Sequence, residues 1–496
     1  MKNRQLWRVI LLGFGLLVWD LQAARYEANW ESLDKRPTPA WFSAAKFGIF
    51  IHWGVYSVPA YAAVGVKGEN PYAEWYWNSL TQGKNAKAPT GRGMPTWQFH
   101  QRVYGKDFEY WDFAPLFKAE LFDPNHWAEV FQRSGARYVV LTSKHHDGYA
   151  LWPSAEASRT WGRPWNSVEI GPKRDLLGDL TEAVRAKGLK MGFYYSLYEW
   201  YNPLWLSDRK RYVEEHMFPQ FKDAVTRYRP AIIFSDGEWD MDSLAWRSPE
   251  LLAWLFNESP VGAEVVINDR WGKDTRHRHG GYYTTEYTAG LQTGKHPWEE
   301  SRGMAYSYGW NRMETLKDYQ TERALILMLV DLVSRGGNLL LDIGPTGDGR
   351  IPVIMEERLT QMGEWLRING EAIYDTSPWR ISRLWGPGVV PKFEEKEFRA
   401  EYDLRKLVDE PAPGNARILA FFTAKGSDVY AILPHWSREI VIPDAASPGA
   451  RARLLETGRE LRVTAKGKDL AVQLPEFVPG AMASREAWVV KLTGIR

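Results

Sequence analysis

Residues 138–145 read Tyr-Val-Val-Leu-Thr-Ser-Lys-His, and this short stretch decides the fold class. Its first half is continuously apolar, a pattern typical of a strand that is buried on both faces of a sheet. The stretch ends in Lys144 and His145, whose side chains can bind or react. We therefore expect a parallel α/β fold with a site at the carboxyl ends of its strands.

Five more runs of this kind occur along the chain, and stretches with a helical pattern separate them. One of these stretches, Leu180–Lys187, stops before Gly188, a residue type that commonly ends helices. In another, Asp123–Ser134, Asp123 is placed to cap a helix that starts at Pro124. The alternation predicts a (β/α)8-like barrel of the TIM type, which we expect to be irregular because only six strands can be identified. The five other runs are Phe47–His52, Lys190–Ser196, Ala231–Asp236, Glu264–Asp269 and Asn338–Ile343.

The sequence changes character after Thr376, where short strand-like segments are separated by turn residues. This pattern predicts a C-terminal antiparallel β-sandwich. We therefore expect a catalytic barrel over residues 25–376 and a β-sandwich over 377–496. The predicted strands of this part are Ile418–Thr423, Val429–Leu433, Glu439–Ile442 and Ala487–Leu492.

The N-terminus has the layout of a signal peptide. Met1–Arg8 is basic, Val9–Trp19 is apolar, and the small residues Ala23 and Ala24 follow. The apolar run is shorter than the roughly 20 residues of a spanning helix. We expect residues 1–24 to be removed and the protein to be secreted or periplasmic, with a retained membrane anchor as the alternative.

Composition excludes some classes of function. The formal net charge is only +2, which gives no reason to expect nucleic acid or an anionic membrane as a partner. The absence of cysteine excludes disulfides and thiol nucleophiles. The 26 Trp, 24 Tyr and 20 Phe can fill large cores, and some of these rings could also stack on sugars.

Residues with functional side chains stand where the apolar runs end. In a TIM-type barrel this face carries the active site, so we expect these side chains to meet there. The long segment Tyr61–Asp107 lacks clear periodicity and is interpreted as a loop over the same face. The strand-end residues are His52, His145, Tyr195, Asp236 and the pair Asp269–Arg270.

Asp236 is the strongest candidate for a catalytic carboxylate. It ends a buried strand and is followed by Gly237, which suits the rigid mounting that a glycosidase nucleophile needs. An Asp that caps the next helix would give the same pattern. Glu238 and Asp240 are nearby competitors.

A second carboxyl group would have to act as acid and base. The candidates are Glu286 and Glu299, which both have aromatic neighbours that could raise a carboxyl pKa by burial. Glu74 beside Trp75 suits a sugar site, where one side chain binds hydroxyls and the other covers a ring face.

Three of the ten histidines lie in two strand-end motifs, His52-Trp53-Gly54 and Lys144-His145-His146-Asp147. They could donate hydrogen bonds to sugar hydroxyls. Alternatively, His52, one of the adjacent histidines and a carboxylate could bind a metal. No recognised metal spacing supports that alternative.

Several long motifs, in order, resemble the α-L-fucosidases of glycoside hydrolase family 29. The resemblance runs from about Ala40 to Trp379 and continues more weakly beyond it. The motifs are Trp41–Pro59, Tyr138–Pro153, Ile233–Trp239, Asn268–Gly272 and Gly336–Gly349.

The resemblance implies a barrel followed by a β-sandwich, and hydrolysis of α-L-fucosides with retention through a fucosyl-enzyme. It implies a fucosylated glycan as the partner and no cofactor or metal. Asp236 falls on the nucleophile position, and Arg270 falls near the second carboxylate. The positions that hold the fucose ring and hydroxyls are His52, Glu74, Trp75, His145, His146 and Tyr195.

The chain departs from the family pattern at two places. Phe234 replaces a Trp two residues before the nucleophile, which removes an indole N–H donor and keeps an aromatic wall. The family motif Trp-Glu-x-Cys reads Trp298-Glu299-Glu300-Ser301, and the similarity around Glu286 favours that residue over Glu299 as the acid/base. The alternatives are a fucose-binding relative without catalysis, a metal-dependent hydrolase, and a glycosidase for a related sugar such as α-L-galactose.

Overall fold

The computed structural model describes residues 25–292, 296–392 and 403–495, so the predicted signal peptide lies outside the described residues. Eight parallel strands form a curled sheet in the order β5-β4-β3-β2-β1-β8-β7-β6, which confirms the predicted TIM-like barrel. The strands are β1 (Phe47–Ile51), β2 (Tyr138–Lys144), β3 (Lys190–Ser196), β4 (Ile232–Asp236), β5 (Val266–Ile267), β6 (Tyr283–Glu286), β7 (Trp298–Gly303) and β8 (Asn338–Ile343).

The two strands that the sequence does not reveal are β6 and β7. They read Tyr-Thr-Thr-Glu and Trp-Glu-Glu-Ser-Arg-Gly, so neither contains an apolar run. Their polar side chains bond inside the protein instead of facing water. Glu300, for example, accepts hydrogen bonds from the backbone N–H of Thr288 and from the Thr285 hydroxyl. Buried polar groups that are paired in this way are compatible with a barrel interior.

The sheet closes between β5 and β6 without a regular strand ladder. One backbone hydrogen bond joins them, from Tyr282 N–H to the Ile267 carbonyl at 3.2 Å. Side chains that follow β5 add further links, among them the Asp269 carboxylate. Its Oδ1 accepts from the backbone N–H and the hydroxyl of Thr284, and its Oδ2 accepts from the N–H of His277. Asp269, predicted as a strand-end functional residue, therefore acts in closing the barrel.

Helices cover the outside of this sheet. Both predicted helices are present, as α7 and α5, and the Asp123 carboxylate caps α5 at the N–H groups of Asn125 and His126. The segment Tyr61–Asp107, interpreted as a loop, contains helices α3 and α4. A π-helical turn, Val213–Met217, joins α9 to α10. The α-helices of the described residues are α1 (Trp30–Leu33), α2 (Ala40–Ala45), α3 (Tyr76–Lys84), α4 (Met94–Val103), α5 (Pro124–Arg133), α6 (Ala155–Trp161), α7 (Leu176–Ala186), α8 (Pro203–Ser207), α9 (Arg209–Tyr212), α10 (Phe218–Tyr228), α11 (Ser248–Asn257), α12 (Glu322–Ser334), α13 (Val353–Asn369) and α14 (Arg405–Val408).

A second, antiparallel set of eight strands follows and forms the C-terminal β-sandwich, in the order β12-β15-β14-β13-β16-β11-β10-β9. Apolar residues from both ends of this order, such as Ile442 and Phe422, belong to one buried cluster. A buried ion pair fixes the sandwich to the barrel, with the Arg383 guanidinium 2.6 Å from the Asp331 carboxylate of α12. The strands are β9 (Ser377–Trp385), β10 (Ile418–Lys425), β11 (Asp428–Leu433), β12 (Glu439–Ile442), β13 (Arg451–Leu454), β14 (Glu460–Lys466), β15 (Asp469–Gln473) and β16 (Trp488–Thr493).

Within the described part of the chain, no helix is both long enough and apolar enough to cross a membrane.

Candidate active site

A pocket of about 890 Å³ opens at the carboxyl ends of the barrel strands. It brings together most of the candidate catalytic and sugar-binding residues and leaves out Tyr195 and Glu299. The strand-end residue Asp269 also lies outside it. The predicted residues that line it are His52, Glu74, Trp75, His145, His146, Phe234, Asp236, Arg270 and Glu286.

Asp236 is the last residue of β4, and its side chain lies on the pocket floor with 8% of the residue exposed. The Arg270 guanidinium donates to Oδ1 at 2.8 Å, and the Tyr194 hydroxyl donates to Oδ2 at 2.9 Å. Burial raises the pKa of Asp236, but the surrounding groups that lower it, of which Arg270 has the largest effect, together outweigh burial and leave the pKa at about 2. The carboxylate is therefore ionised and aimed by two donors.

Arg270 connects the two candidate catalytic carboxylates. One terminal nitrogen, Nη1, donates to Asp236, and the other, Nη2, donates to Glu286 at 3.1 Å. Its Nε donates to the Thr284 hydroxyl at 2.9 Å, and the guanidinium lies 4.9 Å from the Phe234 ring centre. A planar guanidinium with all three nitrogens engaged has little freedom, so both carboxylates are held in fixed positions.

Glu286 is the last residue of β6 and differs electrostatically from Asp236. Burial raises its pKa, and the negative charge of Asp236 raises it further, against the lowering effect of Arg270. The same guanidinium therefore contacts two carboxyl groups, one whose pKa is lowered and one whose pKa is raised. A pair of carboxyl groups with separated pKa values is what acid catalysis beside a nucleophile requires.

Glu299, the second candidate for the acid/base, lies outside the pocket. It is near the start of β7, where it is level with Asn338 at the start of β8, whereas the pocket lies at the opposite ends of these strands. Its carboxyl group accepts a hydrogen bond from the Tyr138 hydroxyl, and burial raises its pKa to about 8. Glu299 is thus a core residue of the barrel.

Tyr195 also lies outside the pocket, and its neighbour Tyr194 lines the pocket instead. Successive side chains of a strand point to opposite faces. The Tyr195 hydroxyl donates to the Gln220 side chain in the helical layer, and the Tyr194 hydroxyl donates to Asp236. The structure thus places Tyr194 at the pocket, whereas the sequence analysis singled out Tyr195.

The pocket histidines are buried and neutral. His52 Nδ1 lies 2.7 Å from Asp342 Oδ1, and His146 Nδ1 lies 2.7 Å from the Ser196 hydroxyl. Burial lowers the pKa of His52 to about 3 and that of His146 to about 4. Neutral imidazoles with one nitrogen anchored can present the other nitrogen to a hydroxyl group.

Two more polar groups of the pocket are prepared for a ligand. His145 is buried, and its Nδ1 has no hydrogen-bond partner among the described residues. Glu74 Oε2 accepts from the N–H of Gly309 at 2.9 Å, and burial raises the pKa of this carboxyl to about 7. Buried polar atoms of this kind need partners, and sugar hydroxyls could supply them.

Aromatic rings form the rest of the wall, and several were not recognised from sequence. Phe50 packs on Phe234 with ring centres 5.0 Å apart, and Tyr308 stacks on His52 at 4.7 Å. Phe50 lies two residues before His52 on β1, so period-two alternation could have identified it. Nothing in the sequence around Tyr308 signals its position. In the described residues, no three His, Asp or Glu side chains are grouped as metal ligands.

A barrel whose strand ends hold an ionised and a protonatable carboxyl group, among aromatic rings and neutral imidazoles, defines the protein as a glycoside hydrolase.

Comparisons with known proteins narrow this class. A family model described as alpha-L-fucosidase matches residues 18–371. The tissue alpha-L-fucosidase of Homo sapiens is 40% identical over 485 residues, covering 95% of this chain and 92% of that protein. The alpha-L-fucosidase of Dictyostelium discoideum is 44% identical over 387 residues, covering 76% and 80%. The chain belongs to the alpha-L-fucosidase family, as its motifs predicted.

Solved structures agree with this assignment. The crystal structure of Thermotoga maritima alpha-fucosidase in complex with fucose is 34% identical, with a TM-score of 0.74. The alignment covers 95% of this chain and 100% of that one. The likeness therefore extends over both the barrel and the C-terminal sandwich.

The adjacent tyrosines give a matched test of the site. We expect Tyr194→Phe to lower kcat/KM by about 10- to 100-fold, because a hydrogen bond to a charged group contributes about 1.5–3 kcal/mol. Tyr195→Phe should leave kcat/KM within about twofold of wild type, since its hydroxyl bonds only in the helical layer. Steady-state kinetics on an aryl α-L-fucoside measure both, and equal effects of the two variants would contradict the assignment.

Proposed function

We propose that this protein is an exo-acting, retaining α-L-fucosidase that removes terminal α-L-fucose from glycans through a covalent fucosyl-enzyme. The observation that carries the proposal is the Arg270 bridge, which holds Asp236 and Glu286 together at one pocket floor, with the pKa of Asp236 lowered and that of Glu286 raised. Retaining glycosidases need two carboxyl groups in close proximity. The description of a Thermotoga maritima relative as bound to a mechanism-based inhibitor supports a covalent route.

In the first step, an Asp236 oxygen attacks the anomeric carbon, and the bond to the leaving oxygen breaks. Glu286 gives its proton to that oxygen, so the aglycone departs as a neutral alcohol. Arg270 keeps Asp236 ionised for the attack. The product of this step is a β-linked fucosyl ester.

In the second step, Glu286 acts as the base. Once Asp236 has become an ester, it no longer carries the negative charge that raises the pKa of Glu286. The positive charge of Arg270 remains, so the pKa of Glu286 falls and the carboxylate can take a proton from water. Attack by that water releases fucose with its original α configuration.

The remaining pocket residues are assigned to recognition of the sugar. His52, His145, His146 and Glu74 would bind ring hydroxyls, and Trp75 would cover a ring face. Phe50 and Phe234 would receive the C6 methyl group, which an apolar wall favours over the hydroxymethyl of α-L-galactose. The barrel, over residues 25–376, would carry all of this chemistry, and the part 377–496 would support it.

We also propose secretion, based on the signal-peptide pattern of residues 1–24. One relative is described as the plasma alpha-L-fucosidase of Rattus norvegicus. N-terminal sequencing of exported protein should find a start near residue 25, and an intact Met1 on that protein would contradict the proposal.

Removing the nucleophile should abolish turnover and allow chemical rescue. We expect Asp236→Ala to lower kcat by at least about 10⁴-fold, because the covalent step loses its nucleophile. Azide should restore activity and give β-fucosyl azide, because the small anion attacks from the face that Asp236 vacates. Asp240→Ala is the matched control, since Asp240 pairs with Arg209 at the surface. Residual turnover near the wild-type rate in Asp236→Ala would contradict the role.

The acid/base assignment predicts the pH profile. Activity should fall at low pH as Asp236 gains a proton, and at high pH as Glu286 loses its proton. Glu286→Gln should remove the alkaline limb and lower turnover of natural linkages by about 10²- to 10⁴-fold. Aryl fucosides with good leaving groups should be affected much less. Glu299→Gln is the control, and a wild-type pH profile for Glu286→Gln would refute the assignment.

A further inference from the structure

The mouth of the pocket carries positive charge that the proposed chemistry does not use. Arg92, in the segment before α4, and Lys273 and Arg278, in the segment between β5 and β6, all line the pocket. All three are exposed. In residues 25–292, 296–392 and 403–495 none of their side chains has a hydrogen bond, ion pair or ring contact. Two separate segments of the chain thus direct unpaired cations at one opening.

Acidic residues at the mouth are already engaged elsewhere. Glu69 accepts from the backbone N–H of Gly93 at 2.9 Å. The two oxygens of Asp274 accept from the N–H and hydroxyl of Ser243 at 2.7 and 2.9 Å. Glu238 lies 2.6 Å from Arg276. None of these carboxylates forms an ion pair with Arg92, Lys273 or Arg278.

A partly exposed aromatic ring lines the same pocket as these cations. Trp239 lines the same pocket and has 38% of its surface exposed, although three aromatic neighbours hold it in place. Its ring lies 6.0 Å from Trp75 at 27°, and edge contacts to His146 and Tyr198 measure 5.4 and 5.8 Å. A fixed ring with an exposed part is suited to stack on a sugar.

We propose that the mouth is a subsite for an aglycone sugar that bears an anionic group, either a sulfate ester or a carboxylate. The inference rests on the proposed function, because a fucose on the floor directs its aglycone outward past Trp239. The sugar would stack on Trp239, and its anion would lie among Arg92, Lys273 and Arg278.

The test compares two substrates that differ only in charge. One is a neutral α-L-fucosyl disaccharide, and the other carries a sulfate ester on the aglycone sugar. A third substrate has a uronic acid as the aglycone sugar and distinguishes a carboxylate from a sulfate as the preferred anion. We expect kcat/KM for an anionic substrate to exceed that for the neutral one by about tenfold at low salt. The preference should decline with added NaCl because exposed charges are screened.

Charge-removing variants locate the effect. Each of Arg92→Gln, Lys273→Gln and Arg278→Gln should reduce the preference by about two- to fivefold, the size expected for an exposed ion pair. The triple variant should lose it, with unchanged kcat/KM on the neutral disaccharide, which also shows that the protein is folded. Lys118→Gln is the control, an exposed lysine outside the pocket.

The outcomes separate this inference from the proposed function. Equal kcat/KM for all three substrates in the wild type, or a preference that survives in the triple variant, would overturn the anionic subsite. Preference for one anion alone would support the subsite and identify its ligand. Failure of the wild type to hydrolyse a neutral aryl α-L-fucoside would instead refute the proposed function.

Discussion

The site depends on a single guanidinium. Arg270 is buried, and each of its terminal nitrogens binds a different carboxyl group. The same positive charge lowers the pKa of Asp236 strongly and opposes the increase at Glu286 only in part. The difference arises because burial and the negative charge of Asp236 both raise the pKa of Glu286, whereas several groups around Asp236 together outweigh the effect of burial there. Two carboxyl groups bound to one cation therefore have pKa values shifted in opposite directions.

The barrel closure and the site use adjacent residues. Asp269 and Arg270 follow β5, and both bind the Thr284 hydroxyl of β6. Asp269 accepts a hydrogen bond from this hydroxyl, and Arg270 donates one to its oxygen. Thr284 lies two residues before Glu286 on the same strand. The position of Glu286 relative to Asp236 is thus set by side-chain hydrogen bonds across the gap between β5 and β6, where a strand ladder is missing.

The sequence predicts the parts of this arrangement that depend on continuous apolar runs. Strands β1 to β5 and β8 were predicted because they are buried on both faces, and Asp236 and His52 were singled out because they end or follow such strands. Strands β6 and β7 were not found, since their buried residues are polar and pair with partners far away in the chain. The choice between Tyr194 and Tyr195 needs the strand phase relative to the barrel axis. The choice between Glu286 and Glu299 requires the bounds of β6 and β7. Glu286 lies at the carboxyl end of β6, whereas Glu299 lies near the start of β7.

The gap between β5 and β6 has a mechanical consequence. Strand β6 is joined to β7 by a full ladder, but to the β5 side by one backbone hydrogen bond and a few side chains. Local opening should therefore begin between β5 and β6. Glu286 belongs to β6. Mild denaturant should thus separate Glu286, the proposed proton donor, from Asp236, the proposed nucleophile, while the rest of the barrel stays folded. The enzyme would then lose catalysis well before it loses its secondary structure.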